Sequence, residues 1–160
     1  MGHWAVGYLL GKIGKFNKKE MIAFIIGNVI PDIDLIFTFL VGSFYGAHDW
    51  GGYNEFADVI HRKYFHSLLV WGLILIVTYL FIKKYAILTY MGIIIHLFLD
   101  SLDTVGVPPF YPISKQYIHF DFYPYNTIEY IKSPQFLIEI SITVFAIFMI
   151  IFLITRRSRR

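Results

Sequence analysis

The sequence predicts an all-α fold, a polytopic membrane helical bundle whose first helices are broken and whose metal site lies near the outer face. The chain is 57% hydrophobic and 16% charged, which is far more apolar than a soluble domain. Acids and histidines interrupt the apolar runs, and such groups are costly to bury, so each is a functional candidate. The length of 160 residues predicts a single membrane-embedded domain, residues 1–160.

Five apolar segments are candidates for membrane helices. They are 4–13, 21–44, 68–82, 86–99 and 136–154. The first is short and rich in glycine, and Pro31 is predicted to break the second because proline ends or kinks a helix. The third is unbroken, and the last alone reaches the ~20 residues that a membrane span needs.

Basic residues predict the orientation of the chain in the cell membrane. Ten of the 14 Lys and Arg residues fall in three clusters, at 12–19, 83–84 and 156–160. The positive-inside rule places all three clusters, and so the C-terminal tail, in the cytoplasm of a multi-pass protein. The net charge of +3 then reflects orientation, and no motif indicates a nucleic-acid partner. The absence of cysteine excludes thiolate sites and disulfides.

The same topology brings distant polar residues to one depth. His3 and Asp32 each lie about a dozen residues from the basic turn between the first two segments, or roughly 18 Å along a helix. His66 opens the third segment at its outer end, and His96 and Asp100 close the fourth there. These residues are therefore expected to meet in one layer near the outer face.

Two histidine-containing groups have the residue types of a metal site. His96 and Asp100 are four apart, which puts both side chains on one face of a helix; the alternative is a buried His–Asp hydrogen bond. His61 and His66 are five apart and do not share a helical face. A helix that starts near Ser67 would let His61 approach from the preceding loop.

A pair of carboxylates and a guanidinium complete the candidates. Asp32 and Asp34 follow Pro31, and either could cap the next helix, but two close like charges repel and a cation relieves them. Arg62 could clamp a phosphate or carboxylate with two hydrogen bonds, or it could be an ordinary interfacial polar group.

Seven residues are predicted metal ligands. They are His3, Asp32, Asp34, His61, His66, His96 and Asp100. Imidazole with carboxylate and no sulfur fits Zn best, with Mn or Fe as alternatives. Because one tetrahedral ion takes four ligands, seven candidates predict two or more divalent ions. Four further polar residues are predicted to lie on solvated outer loops: His48, Asp49, His119 and Asp121.

These motifs resemble those of the YdjM family of membrane-bound metal-dependent hydrolases, over most of residues 2–112. The matching motifs are Gly2-His3, Ile30-Pro31-Asp32-Ile33-Asp34, His61-Arg62 with His66-Ser67-Leu68-Leu69, and His96 to Asp100 leading into Leu102, Gly106-Val107 and Pro112. The chain departs from the pattern in two places. Leu35-Ile36 stands where the family usually has His or Pro, and Asp103-Thr104 stands where it usually has Thr-Pro. Asp103 is therefore a candidate for a further acid near the site.

The resemblance implies a function. The family is distantly similar to zinc-dependent phospholipase C and single-strand nucleases, which implies that a metal-activated water hydrolyses a phosphoester. A phospholipid or lipid-linked phosphoester from the bilayer is the expected substrate, because the site opens at an interface. Asp32 or Asp34 would act as the catalytic base, and Arg62 would steady the anionic substrate.

Two other functions are open. A membrane metal-binding or divalent-metal transport protein would also carry intramembrane His and Asp, although a pathway needs ligands spread through the membrane rather than clustered at one depth. A structural protein would use these groups only to satisfy one another. The sequence sets neither the substrate nor the oligomeric state.

Overall fold

The computed structural model describes residues 2–33, 63–122, 132 and 134–158, so Asp34, His61 and Arg62 lie outside the described residues. Within these ranges the fold is all-α, as predicted. The α-helices are α1 (His3–Ile13), α2 (Lys18–Val29), α3 (Leu68–Ile82), α4 (Lys84–Asp100) and α5 (Pro134–Ser158), with a 3-10 helix at Ile30–Ile33.

The turn between α1 and α2 is closed by a capping box. The Asn17 side chain accepts hydrogen bonds from the backbone N–H groups of Lys19 and Glu20, and the Glu20 carboxylate accepts one from the backbone of Asn17. Glu20 also forms an ion pair with Lys84 at the start of α4. The hydrogen bond from Lys84, followed by that from the Asn17 backbone, lowers the pKa of Glu20. Glu20 therefore links the turn between α1 and α2 to the start of α4.

Helices α2 and α4 approach so closely that their backbones touch. A Cβ on Gly27 would overlap the carbonyl oxygen of Thr89, and a Cβ on Gly92 would lie 2.9 Å from the Cα of Gly27. Only glycine fits at such a contact. This contact fixes the axial position of α4 against α2, and with it the height of the polar residues at the end of α4.

The predicted break after α2 is confirmed. The α-helix ends at Val29, and Pro31 lies in the 3-10 helix that carries Asp32. The predicted start of α3 is confirmed too, because Ser67 is its N-cap and accepts a hydrogen bond from the backbone N–H of Val70. Both boundaries place a predicted ligand, Asp32 or His66, at the end of an apolar helix.

The loop that follows α4 covers the end of the bundle where Asp32 and His66 lie. Val107 and Ile118 form an isolated antiparallel bridge, and the backbone N–H of Leu69 donates to the carbonyl of Pro109. The core beneath consists of buried apolar residues from α3, α4 and this loop: Trp71, Ile93, Leu97 and Val107. The loop is thus joined to the start of α3 and positions that segment.

Helix α3 exposes apolar side chains around most of its surface. Leu80 and Phe81 are 74% and 81% exposed, and Trp71, at 8% exposed, is the one buried residue of this helix. Across the part of the chain that the structure describes, no helix combines the length and hydropathy required to cross a membrane. The predicted multi-pass arrangement, including a span at 136–154, is therefore not supported by these helices.

Candidate metal centre

Four side chains from three parts of the chain converge at one end of the bundle. Asp32 comes from the 3-10 helix, His66 from the segment before α3, and His96 and Asp100 from α4. One ligand-type atom from each lies within 4.8 Å of the others. The convergence that the sequence predicted for these four residues is therefore present.

The separations between these atoms suit a tetrahedral ion. Asp100 Oδ2 lies 2.8 Å from His66 Nε2 and 3.2 Å from His96 Nε2. Asp32 Oδ1 lies 3.9 Å and 3.5 Å from the same two nitrogens, which are 3.3 Å apart. Metal–ligand bonds of 2.0–2.2 Å give tetrahedral ligands a mutual distance of about 3.3–3.6 Å. The five measured edges scatter around that distance, so the residues fit a divalent ion.

The orientation of His96 points its Nε2 atom into the cluster, where it could bind a metal ion. Its Nδ1 lies 2.9 Å from the backbone carbonyl oxygen of Asn28, an acceptor that requires a proton on Nδ1. The Nε2 of the neutral ring then carries a lone pair and faces the cluster. Metal-binding histidines are usually held in this way by an outer carbonyl or carboxylate.

The four side chains of the cluster differ in solvent exposure, and the difference shows which side of the cluster faces solvent. The side chains of His66 and His96 are fully buried and that of Asp100 is 11% exposed, whereas that of Asp32 is 32% exposed. Two imidazoles and one carboxylate therefore form the floor, and Asp32 lies on the open side. Asp32 is therefore the most accessible of the four side chains.

His3 lies beside the cluster and contacts the outer oxygens of both carboxylates. Its Nε2 is 3.2 Å from Asp100 Oδ1, and its Nδ1 is 3.7 Å from Asp32 Oδ2. These are not the oxygens that face His66 and His96. The His3 ring also packs against that of His96, with 4.3 Å between ring centroids. His3 thus connects the two carboxylates on the side away from the four-atom cluster.

Of the seven predicted ligands, five lie among the described residues, and the structure brings all five together. The five are His3, Asp32, His66, His96 and Asp100. Asp34 and His61 lie outside the described residues, as does Arg62.

The other polar candidates of the described residues lie elsewhere. His119 and Asp121 form an exposed pair, with 2.8 Å between Nδ1 and Oδ1, as predicted for a solvated loop. His48 and Asp49 lie outside the described residues. The Oδ1 of Asp103 accepts hydrogen bonds from the backbone N–H groups of Val105 and Gly106. That oxygen therefore stabilises the turn after α4.

Sequence reasoning missed Asn28. Its side chain is fully buried between α1 and α2 and packs on Gly7, while its carbonyl orients His96. A backbone carbonyl leaves no mark in a sequence. The one available signal was an amide side chain in an otherwise apolar stretch, four residues before Asp32.

Comparison with known proteins gives a single kind of match. A search of curated proteins and a search of solved structures each returned no match. The sequence model of the YdjM inner membrane protein family matches residues 1–159, which is nearly the whole chain and includes every residue of the cluster. The chain belongs to the YdjM family of inner membrane proteins.

Proposed function

We propose that this protein is an integral membrane metal-dependent hydrolase that cleaves a phosphoester of a lipid or lipid-linked substrate. The observation that carries the proposal is the set of two imidazole nitrogens and two carboxylate oxygens at tetrahedral separations. Three of these four side chains are buried. Keeping such polar groups buried in a membrane protein is costly unless they bind an ion.

The donor set favours zinc, with manganese or iron as alternatives. A divalent ion at this position would polarise a phosphoryl oxygen and lower the pKa of a bound water toward 7. Asp32, His66, His96 and Asp100 would hold it. The predicted number of two or more ions stays a prediction, and the outer carboxylate oxygens beside His3 are the place for a second.

The remaining roles follow from exposure and charge. Asp32 lies on the open side of the cluster, where a carboxylate can orient an attacking water and accept its proton. Asp34 is the alternative base. Arg62 is assigned to the anionic group of the substrate because its planar guanidinium binds phosphate oxygens in pairs.

The exposed apolar surface of α3 supports membrane insertion. We place the three basic clusters in the cytoplasm and the metal centre toward the outer face of a multi-pass protein. The substrate is then drawn from the bilayer, with its phosphate at headgroup depth.

The test is hydrolysis of a panel of lipid phosphoesters by purified, zinc-loaded protein. Wild-type protein is expected to release product from at least one member of the panel, and Asp100→Asn to release none. Arg62→Ala should retain its metal and lose turnover of anionic substrates by roughly 2–5 kcal/mol of transition-state stabilisation, less if the site is open. His119→Ala is the matched control. Metal binding with no turnover of any phosphoester would overturn the hydrolase.

One observation favours a second function, a membrane metal-binding or metal-transport protein. Four protein ligands already complete a tetrahedral sphere, and closed four-ligand sites are typical of structural zinc. Zinc uptake into vesicles that contain the protein, lost in Asp100→Asn, would support transport. Retained metal with neither uptake nor hydrolysis would leave a binding role alone.

A further inference from the structure

An apolar groove runs between α3 and α4, away from the metal centre. On α3 it is lined at positions 71, 74, 75, 78 and 82, and on α4 at positions 86, 89, 90 and 93. Both sets recur at helical spacing, so each is one stripe of a helix face. The cavity volume is about 110 Å³. From Trp71 to Ile82 the stripe extends ~16 Å at 1.5 Å per residue.

The hydroxyl groups in the groove have no free proton to donate to a polar ligand. Thr78 donates its hydroxyl to backbone carbonyls of α3, and Thr89 donates to the carbonyl of Ala23. Tyr90 donates to the carbonyl of Leu68. Among the residues that the structure describes, no charged one lines the groove. Apart from these hydroxyl oxygens, the lining consists of methyl, methylene and ring groups, which favours an apolar occupant over water.

The groove is open along the exposed side of α3. Ile74 and Ile82, which line it, are 42% and 48% exposed, and the neighbouring Val77 is 58% exposed. In a chain of an inner membrane family, apolar surface of this kind contacts lipid. The solvent that would fill the groove is therefore the hydrocarbon of the bilayer.

The length and position of the groove match one leaflet. Its ~16 Å is close to half of the roughly 30 Å hydrocarbon core of a bilayer. At its upper end, Ile93 lies one helical turn from His96, and Ile30 lies two residues from Asp32. A chain in the groove thus has its polar end at the level of the metal centre.

We infer that this groove binds one acyl chain of a bilayer phospholipid and holds the headgroup phosphate of that lipid beside the metal centre. The assignment of this lipid as substrate rests on the proposed hydrolase. Occupancy of the groove does not, because it depends on apolar contact alone.

Trp71 provides a direct probe of occupancy. The chain has three tryptophans, and Trp4→Phe with Trp50→Phe leaves Trp71 as the single indole, at the upper end of the groove. The protein is reconstituted into phosphatidylglycerol vesicles whose acyl chains carry bromine near the carboxyl end, at the level of Trp71. Bromine quenches indole fluorescence at contact, and Trp71 itself is 8% exposed, so strong quenching requires a chain inside the groove.

A matched pair of variants separates the groove from bulk lipid. Leu75→Phe places a ring inside the groove one turn from Trp71, while Val77→Phe places the same ring on the exposed face. We expect Leu75→Phe to reduce quenching at least twofold and Val77→Phe to leave it unchanged. Equal quenching in the two variants, or no quenching of the parent, would overturn the proposal.

The same measurement on Asp100→Asn protein keeps the two proposals apart. Quenching that persists in this variant shows that the groove binds lipid independently of metal and turnover. If quenching is absent while Asp100-dependent hydrolysis of phosphoesters is measured, the groove assignment fails and the proposed function stands.

Discussion

The Nδ1 atom of His96 lies 2.9 Å from the carbonyl oxygen of Asn28, a hydrogen bond between the end of α4 and the end of α2. It fixes both the rotation of the imidazole and the position of its proton. Asn28 precedes Asp32 by one helical turn, so the residue that orients one ligand also leads into the segment that supplies another. The site thus depends on helix packing as much as on ligand identity, and the following predictions separate the two.

His96→Ala and Asp100→Ala should each abolish metal binding, because each removes an atom from a four-atom cluster. His119→Ala should keep full metal content, since His119 pairs with Asp121 at the surface. Elemental analysis of purified protein after incubation with zinc or manganese measures this. Full metal in His96→Ala together with loss in His119→Ala would move the site to the loop after α4.

His3→Ala should weaken metal binding by about 10–100-fold without abolishing it, the usual cost of removing a group that orients a ligand. The reason is that His3 contacts the outer oxygens of Asp32 and Asp100. Competition with a chelator of known affinity gives the dissociation constant. A clean loss of one ion out of two would instead identify His3 as a ligand of a second ion, its predicted role.

Gly92→Ala should destabilise the protein by about 1–3 kcal/mol, because the added methyl overlaps the carbonyl of Phe24 and forces α2 and α4 apart. Metal affinity should fall with it, although no ligand is changed. Gly72→Ala is the control, since its Cβ would meet only the Tyr90 hydroxyl at 3.5 Å. Thermal unfolding in mild detergent, with and without zinc, reports both effects. Equal melting temperatures for the two variants would contradict the close contact.

The Glu20–Lys84 pair should make stability depend on pH in acid. Because the folded-state pKa of Glu20 is lowered by Lys84, its contribution is present above the usual carboxyl pKa of 4.5 and is lost as the pH falls through the folded value. Glu20→Gln should remove that part of the dependence and leave stability at pH 7 lower than in wild type. Melting temperatures from pH 3 to 7 test this. Identical profiles for the two proteins would show that the Glu20–Lys84 ion pair does not contribute to stability.

Labelling should report the orientation of the chain. The protein has no cysteine, so Ser114→Cys and Ser158→Cys each introduce one thiol. An impermeant maleimide added to intact cells should label position 114 and not position 158, because the basic tail is predicted to be cytoplasmic. Labelling of position 158 alone, or of both equally, would refute the topology.

Much of the fold was predictable because apolar runs and their interruptions are local signals. The stripe 68–82 coincides with α3, and Pro31 ended α2 where expected. The meeting of His3 and Asp32 was predictable from helix rise, since the basic turn gives two arms of similar length. His96 was placed at the same depth by the predicted membrane topology. The membrane spans were not supported in the helices that the structure describes.

The sequence could not give the finer geometry of the site. Which oxygen of Asp100 faces His66 and which faces His3 depends on a side-chain torsion. The Gly27–Gly92 contact that sets the height of His96 joins two residues far apart in the sequence and has no periodic signature. Long-range backbone contact and carbonyl acceptors such as that of Asn28 are fixed only when the helices pack.

The separate origin of the four ligand residues makes an ion there a cross-link between distant parts of the chain. The ion would link residues 32, 66 and 100. Each link closes a chain loop whose closure costs conformational entropy. A ligand that binds only the folded chain stabilises it by roughly 2.7 kcal/mol at a hundred times its dissociation constant. Metal supply would then govern how long the protein survives proteolysis in the membrane, and a cell short of metal would lose the polypeptide along with its chemistry.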